Sequence, residues 1–101
     1  MFDFLFKKKT RKAYPVFIKS ADGMNAYLVF VPDLKIYTES YESFADAMFM
    51  ARDAIELYYK CGDIEIPEPS NYERAIELAK EDADEDFDYS DGVLTYVDVL
   101  V

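Results

Sequence analysis

Residues 29–44, VFVPDLKIYTESYESF, decide the fold, because one strand ends, a turn follows and a helix begins within this stretch. Pro32 ends the apolar run, since its ring removes a backbone donor. Asp33 comes next, and an aspartate at such a place commonly bonds the local backbone N–H groups of a turn. Ser43 is placed to accept a hydrogen bond from the first turn of the helix, with Asp46 three residues later as a capping box.

Four segments of the chain have the composition of strands. They are rich in aromatic and β-branched residues, and they span residues 14–19, 26–31, 35–40 and 93–101. The Asp22-Gly23 turn predicts that the first two pair as an antiparallel hairpin. Pro15 fits the first position of a strand, where a missing N–H is tolerated.

A long amphipathic helix is predicted over residues 44–61, FADAMFMARDAIELYYKC. Its apolar residues repeat at spacings of four and three, which places them on one face: Phe44, Met48, Ala51, Ile55 and Tyr58. Gly62 follows as its C-cap, and Ser70 or Asn71 can cap a shorter helix, YERAIELAKED. The order β-β-β-α-α-β therefore predicts an α+β fold, an antiparallel sheet with one long helix packed on one face.

The residue types that the chain lacks exclude several kinds of site. Its 101 residues suit one domain, and they include no histidine and a single cysteine, Cys61. Without histidine there is no imidazole base, no histidine metal ligand and no Ser-His triad. A lone cysteine excludes an intrachain disulfide and a thiolate zinc cluster. We therefore predict a protein that is not an enzyme, with no catalytic residue, cofactor or metal.

The charge of the chain favours a basic protein as its partner. The net charge is −10, from 21 acidic and 11 basic residues, and this charge would repel the phosphates of a nucleic acid. The charges are also segregated: residues 1–13 are predicted to be a basic N-terminal arm and residues 14–101 a single domain. The arm could contact nucleic acid or anionic lipid through its basic residues, but a mobile arm or a leading strand is the simpler interpretation.

An acidic block lies near the other end of the chain, over residues 81–91, and it includes Asp84 and Asp86. It is either a solvated loop or a surface for a basic partner, whose association it would speed. No segment approaches the roughly 20 apolar residues of a membrane span. We therefore expect a cytoplasmic protein that does not bind membranes.

Four segments, in order and at matching spacing, resemble the HicB family of antitoxins. They are YPVFIKSADGMNAYLVFVPDL, TES before the helix, FADAMFMARDAIELYY and GDIEIPEPS, and the similarity covers residues 14–101. The marks of the family are PDL after the second strand, the alanine-rich helix, and the IP.PS pattern that follows this helix. The resemblance implies a truncated RNase H-like fold. It also implies inhibition, because HicB-like proteins bind a small basic mRNA-cleaving toxin, HicA, and mask its active-site region.

The chain departs from the family pattern at several places. The family's PDLPGC is PDLKIY here, so that the glycine turn is lost, and its T.G is Thr38-Glu39-Ser40. Many relatives carry a C-terminal ribbon-helix-helix or helix-turn-helix; none follows Val101, and we expect no direct DNA binding by this chain. An orphan regulatory or scaffold module of the same fold is the alternative that the resemblance leaves open.

Seven residues are predicted to contact a partner: Asp33, Tyr37, Glu39, Phe49, Glu56, Asp84 and Asp86. Phe49 falls within a stripe of charged helix residues. It is either a singly exposed phenylalanine or, as we predict, a contact with a partner or with a second copy of the chain. The partner would be a basic HicA-like toxin. A sheet this small also has an open edge, which favours a homodimer or a higher homo-oligomer.

A degenerate metal-dependent nuclease is the remaining alternative. Asp33, Glu39 and Asp98 could form its site, because RNase H-type cleavage needs carboxylates that converge on two divalent ions about 4 Å apart. The strand over residues 26–31 contains no acid, however. A turn role for Asp33 is therefore the simpler interpretation.

Overall fold

The computed structural model describes residues 10–21, 26–61, 66–82 and 92–101. Its elements follow the predicted order. They are β1 (Arg11–Ser20), β2 (Tyr27–Val31), β3 (Ile36–Ser40), α1 (Phe44–Cys61), α2 (Tyr72–Asp82) and β4 (Val93–Leu100). The predicted Asp22-Gly23 turn, the Gly62 cap and most of the acidic block lie outside the described residues.

The four strands form one antiparallel sheet in the order β3-β2-β1-β4. β1 is longer than predicted, and its pairing with β4 begins at Arg11 opposite Leu100. Residues 11–13, which the sequence assigned to the basic arm, are therefore part of the sheet, whereas residues 1–9 lie outside the described part. Because β4 lies beside β1, the two edge strands of the described sheet are β3 and β4.

Two prolines set the length of the β1–β2 hairpin. The pairing ends at Phe17 opposite Phe30, and its continuation would place Pro15 opposite Pro32. Neither proline has an N–H to donate, so the ladder cannot continue there. Pro15 thus lies in the middle of β1, not at the first position of a strand as predicted. It is tolerated because the register of β1 with β4 turns its nitrogen away from β4.

α1 packs on one face of the sheet, as predicted. Ala47, Ala51 and Ile55 of this helix are fully buried. They pack against sheet residues that are buried as well: Tyr14, Val16, Ile18, Val29, Val31, Val97 and Val99. Each large apolar side chain buried in this way contributes roughly 1.5–3 kcal/mol, so this cluster is the main core.

Ser43 caps α1 as predicted, since its hydroxyl accepts the Asp46 N–H at 3.0 Å. The carboxylate of Asp46 does not reach back to complete the capping box. It accepts the Ser40 hydroxyl at 2.5 Å instead, and this bond ties the start of α1 to the end of β3.

α2 covers the opposite face of the sheet, which the predicted fold left without a helix. Ala75 and Ala79 are fully buried and form a second cluster with Phe17 and Phe30. The cause lies in β1: YPVFI is apolar at consecutive positions, so both faces of the strand need burial. Over the described residues the fold is α+β, with α1 on one face of the sheet and α2 on the other.

The β2–β3 turn contains a strained residue. Lys35 has a φ of 54°, a left-handed conformation that costs a residue with a Cβ roughly 1–2 kcal/mol. We expect Lys35→Gly to raise the free energy of unfolding by about 0.5–1 kcal/mol, because glycine avoids this cost but is freer in the unfolded chain. Urea denaturation followed by circular dichroism measures the change. Thr38→Gly, in the extended β3, is the control and should lower the free energy of unfolding. If Lys35→Gly lowers it as well, the backbone at Lys35 is not strained.

Candidate functional site

The chain passes from one face of the sheet to the other through residues 66–71, which we call the crossover segment. Tyr14 is buried in the main core. Its hydroxyl donates to the Pro67 carbonyl at 2.6 Å and is hydrogen-bonded to the Tyr59 hydroxyl. Burial, and next the bond to Tyr59, raises the pKa of Tyr14 far above its ordinary value of 10.0. The phenol therefore stays neutral and holds the crossover segment as a donor.

Asp33 holds the same segment from the β2–β3 turn. Its carboxylate accepts the Ser70 backbone N–H at 2.9 Å and also the Ser70 hydroxyl. The bonds predicted within its own turn are thus replaced by a contact 37 residues further along the chain. Because Ser70 is engaged in this way, Asn71 caps α2, and its side-chain oxygen accepts the Arg74 N–H at 2.8 Å.

A surface ion pair adds a third contact to the crossover segment, since Lys12 Nζ lies 2.6 Å from Glu68 Oε1. The hydrogen bond to Glu68 raises the pKa of Lys12, but Glu68 is largely exposed and such pairs add little stability. We call the three contacts the clasp: Asp33–Ser70, Tyr14–Pro67 and Lys12–Glu68. The clasp brings two marks of the HicB resemblance, PDL (32–34) and IPEPS (66–70), into direct contact.

Tyr37, Glu39 and Tyr41 form one exposed surface at an edge of the sheet, which we call the β3 surface. The Tyr37 side chain is 47% exposed, and its ring stacks on buried Phe30 with ring centroids 4.5 Å apart. The Tyr41 hydroxyl donates to the Glu39 carboxylate at 2.6 Å. This bond, and next the charge of Glu39, raises the pKa of Tyr41. The β3 surface therefore presents two aromatic rings and an oriented carboxylate.

Sequence reasoning named Tyr37 and Glu39 as contact residues but missed Tyr41. The available signal is the alternation in YTESY (37–41), because every second residue of an extended chain lies on the same side. Residue 41 follows the predicted end of the third strand, where the alternation is expected to stop. Its hydrogen bond to Glu39 makes it part of the same surface.

A groove runs between α1 and β4, and we call it the α1–β4 groove. Phe49, Arg52 and Asp98 line a cavity of about 370 Å³ there, and a neighbouring cavity of about 180 Å³ shares Arg52 and Asp98 with it. Glu56 and Leu100 continue the lining toward the far end. Phe49 is 55% exposed, and Arg52 Nε donates to the Asp98 backbone carbonyl at 3.0 Å.

The structure divides the predicted contact residues among separate places. Tyr37 and Glu39 lie on the β3 surface. Phe49 and Glu56 line the α1–β4 groove, at the opposite edge of the sheet. Asp33 belongs to the clasp. The remaining two lie outside the described residues: Asp84 and Asp86.

The three carboxylates of the nuclease alternative do not converge. Glu39 lies on β3 and Asp98 on β4, and three strand spacings place these strands about 14 Å apart. Asp33 is occupied by Ser70. This set cannot hold two divalent ions about 4 Å apart. Within the described ranges, moreover, no three His, Cys, Asp or Glu side chains are grouped so as to hold a metal ion.

Comparison with known proteins adds no family assignment. No family model matches the chain, and neither a curated protein nor a solved structure matches it. The HicB resemblance therefore stays a prediction from the quoted motifs. Among the described helices, none has both the length and the apolar character needed to cross a membrane.

Proposed function

We propose that this chain is an antitoxin-like binding protein, which neutralises a basic HicA-type mRNA interferase by covering its active-site region. The observation that supports this most is the β3 surface, where two tyrosine rings and a carboxylate stand exposed on a chain of net charge −10. The clasp adds support, because it joins two motifs of the HicB resemblance. On the same grounds we propose the truncated RNase H-like fold of that family, and the cytoplasm as the place of action.

Tyr37 has the properties of an interface anchor. Its ring is stacked on Phe30 before any partner arrives, so little side-chain entropy is lost on binding. Tyrosines account for a large share of the energetically dominant residues in protein interfaces. A ring that is fixed and half exposed can therefore pack on the toxin without rearrangement.

Glu39 supplies the charge that such a partner requires. Its carboxylate is oriented by the Tyr41 hydroxyl at 2.6 Å. An mRNA-cleaving protein needs basic residues where it binds the phosphates of its substrate, and these residues would attract Glu39. The net charge of −10 would also speed the encounter. The chain would thus compete with RNA for the same basic surface.

Binding to a HicA-type toxin tests this function, with the toxin taken first from the reading frame beside this chain's own. The chain should stop RNA cleavage once it matches the toxin in concentration. Tyr37→Ala should weaken binding about 30-fold, as the loss of an anchor residue does, and Glu39→Arg should weaken it by at least about tenfold through charge repulsion. Calorimetry gives the affinities and an RNA-cleavage assay gives the inhibition.

Asp53→Arg is the matched control, because it makes the same change of charge at an exposed carboxylate on α1. It should weaken binding far less than Glu39→Arg does. If the toxin still cleaves RNA at its full rate when the chain is present in excess, the proposed function is refuted. Equal losses for the two arginine variants would refute the β3 surface as the contact and leave only a general effect of charge.

A regulatory or scaffold module of the same fold is the second candidate. The α1–β4 groove favours it, because a protein with contact surfaces at both edges of its sheet can hold two partners at once. A scaffold would bind its partners without changing RNA cleavage. The cleavage assay therefore separates the two candidates.

A further inference from the structure

We infer that the β4 edge is the site at which a second copy of this chain adds to the sheet. Thr10 and Val101 exchange both of their backbone hydrogen bonds, at 2.7 and 3.0 Å, and this fixes the pattern of the β1–β4 ladder. Counted from that pair, every second residue of β4 forms backbone hydrogen bonds with β1. The backbone N–H and C=O groups of the residues between them point away from β1. The outward N–H and C=O groups belong to these residues: Leu94, Tyr96, Asp98 and Leu100.

The four outward residues are symmetric about Val97, and this symmetry determines the register. A two-fold axis at Val97 places Leu94 opposite the second copy's Leu100, and Tyr96 opposite the second copy's Asp98. Every outward group then has a partner in an antiparallel ladder. An axis at Asp98 would set two aspartates directly opposite each other, which destabilises a sheet.

Exposed apolar side chains flank the same edge. Phe49 of α1 is 55% exposed, Val93 is 54% exposed and Leu100 is 50% exposed. A single exposed apolar residue is ordinary, but three around one backbone edge with which no other described strand pairs mark a contact surface. A second copy suits this surface, because the register brings leucine against leucine and needs no complementary sequence from another protein.

Arg52 controls access to the edge. Its Nε donates to the Asp98 carbonyl, one of the outward acceptors, at 3.0 Å, and a charged side chain at an edge opposes pairing. Glu56 lies one helical turn further on and lines the same cavity, so it can bind the guanidinium when a strand arrives. Arg52 therefore weakens the self-association without preventing it.

Self-association is independent of the proposed toxin binding. It uses β4, whereas the toxin contact uses β3, at the opposite edge. The two also respond to salt in opposite directions. Two chains of net charge −10 repel each other, so added salt should tighten the dimer, whereas it should weaken a complex with a basic protein. One of the two can therefore fail in experiment while the other holds.

Sedimentation velocity from micromolar to millimolar concentration tests the dimer. The wild-type chain should form a dimer at the upper end of this range. Arg52→Ala should tighten it about tenfold, because it frees one acceptor in each copy and each hydrogen bond is worth a factor of a few. Tyr96→Pro should abolish the dimer and keep the fold, because that N–H points away from β1; circular dichroism checks the fold.

Disulfide trapping tests the register in a Cys61→Ser background. Tyr96→Cys and Asp98→Cys proteins, mixed under mild oxidation, should cross-link, because opposite residues have Cα atoms about 5.5 Å apart. Either protein alone should not, since equivalent residues of the two copies are about 8 Å apart, beyond disulfide reach. Equal cross-linking of each protein alone would overturn the register. A chain that stays monomeric at millimolar concentration, with and without Arg52→Ala, would overturn the proposal.

Discussion

Phe30→Ala is expected to lower the free energy of unfolding by about 3–5 kcal/mol, the cost of a large cavity in a packed core. Phe30 is 0% exposed and lies at the centre of the second cluster, under α2. Its helix neighbours there are Ala75 and Ala79, which are too small to fill the space. The loss is a large share of the roughly 5–15 kcal/mol that stabilises a typical domain. Urea denaturation followed by circular dichroism measures it.

Phe49→Ala is the matched control, because the same atoms are removed from a phenylalanine that is 55% exposed. It should change the free energy of unfolding by about 0.5 kcal/mol or less. Phe30→Leu should fall between the two, and it should also weaken toxin binding, since Tyr37 loses the ring on which it stacks. If Phe30→Ala and Phe49→Ala lower the free energy of unfolding equally, the second cluster does not act as a packed core.

The strands and the long helix are predictable because their signals are local. Alternation, β-branched residues and apolar spacing act within a few residues of one another, and Ser43 caps α1 where the pattern begins. The position of Pro15 is not predictable in this way. Whether a proline is tolerated inside β1 depends on the direction of its nitrogen, and only the pairing with β4 sets that direction.

The face that α2 covers depends on contacts between distant residues. Ala75 and Ala79 are four residues apart, and with Ile76 they give the helix an apolar side. This pattern predicts a buried helix but not the face of the sheet that it covers. The face is fixed by the crossover segment, which Tyr14 and Asp33 bind from distant parts of the chain.

The separation of the two candidate contact surfaces depends on strand order in the same way. Tyr37 and Phe49 are close in sequence, and both were predicted to contact a partner, which for Phe49 is either another protein or a second copy of the chain. They lie near opposite edges because β4, the last strand, joins the sheet beside β1 and leaves β3 at the other edge. That order arises from contacts between the two ends of the chain, for which local sequence patterns contain no signal.

Asp33→Ala is expected to lower the free energy of unfolding by about 1.5–3 kcal/mol, because it removes a charged acceptor from two donors. The donors are the Ser70 N–H, at 2.9 Å, and the Ser70 hydroxyl, and both residues are half buried. Without this contact the crossover segment is attached less firmly to the β2–β3 turn. Amide hydrogen exchange should therefore speed up most strongly in α2, and chemical denaturation gives the free energy.

A double-mutant cycle distinguishes this long-range role of Asp33 from the local turn role that its sequence context suggests. Ser70→Ala alone should cost about 0.5–1.5 kcal/mol, since it removes the hydroxyl but keeps the N–H. If the two side chains act together, the double variant will lose less than the sum of the single losses, by about 1 kcal/mol. Additive losses would instead place the role of Asp33 within its own turn. Asp53→Ala, at an exposed carboxylate of α1, should change stability by at most about 0.5 kcal/mol, so the cost at position 33 arises from the contact with Ser70 and not from the loss of a negative charge.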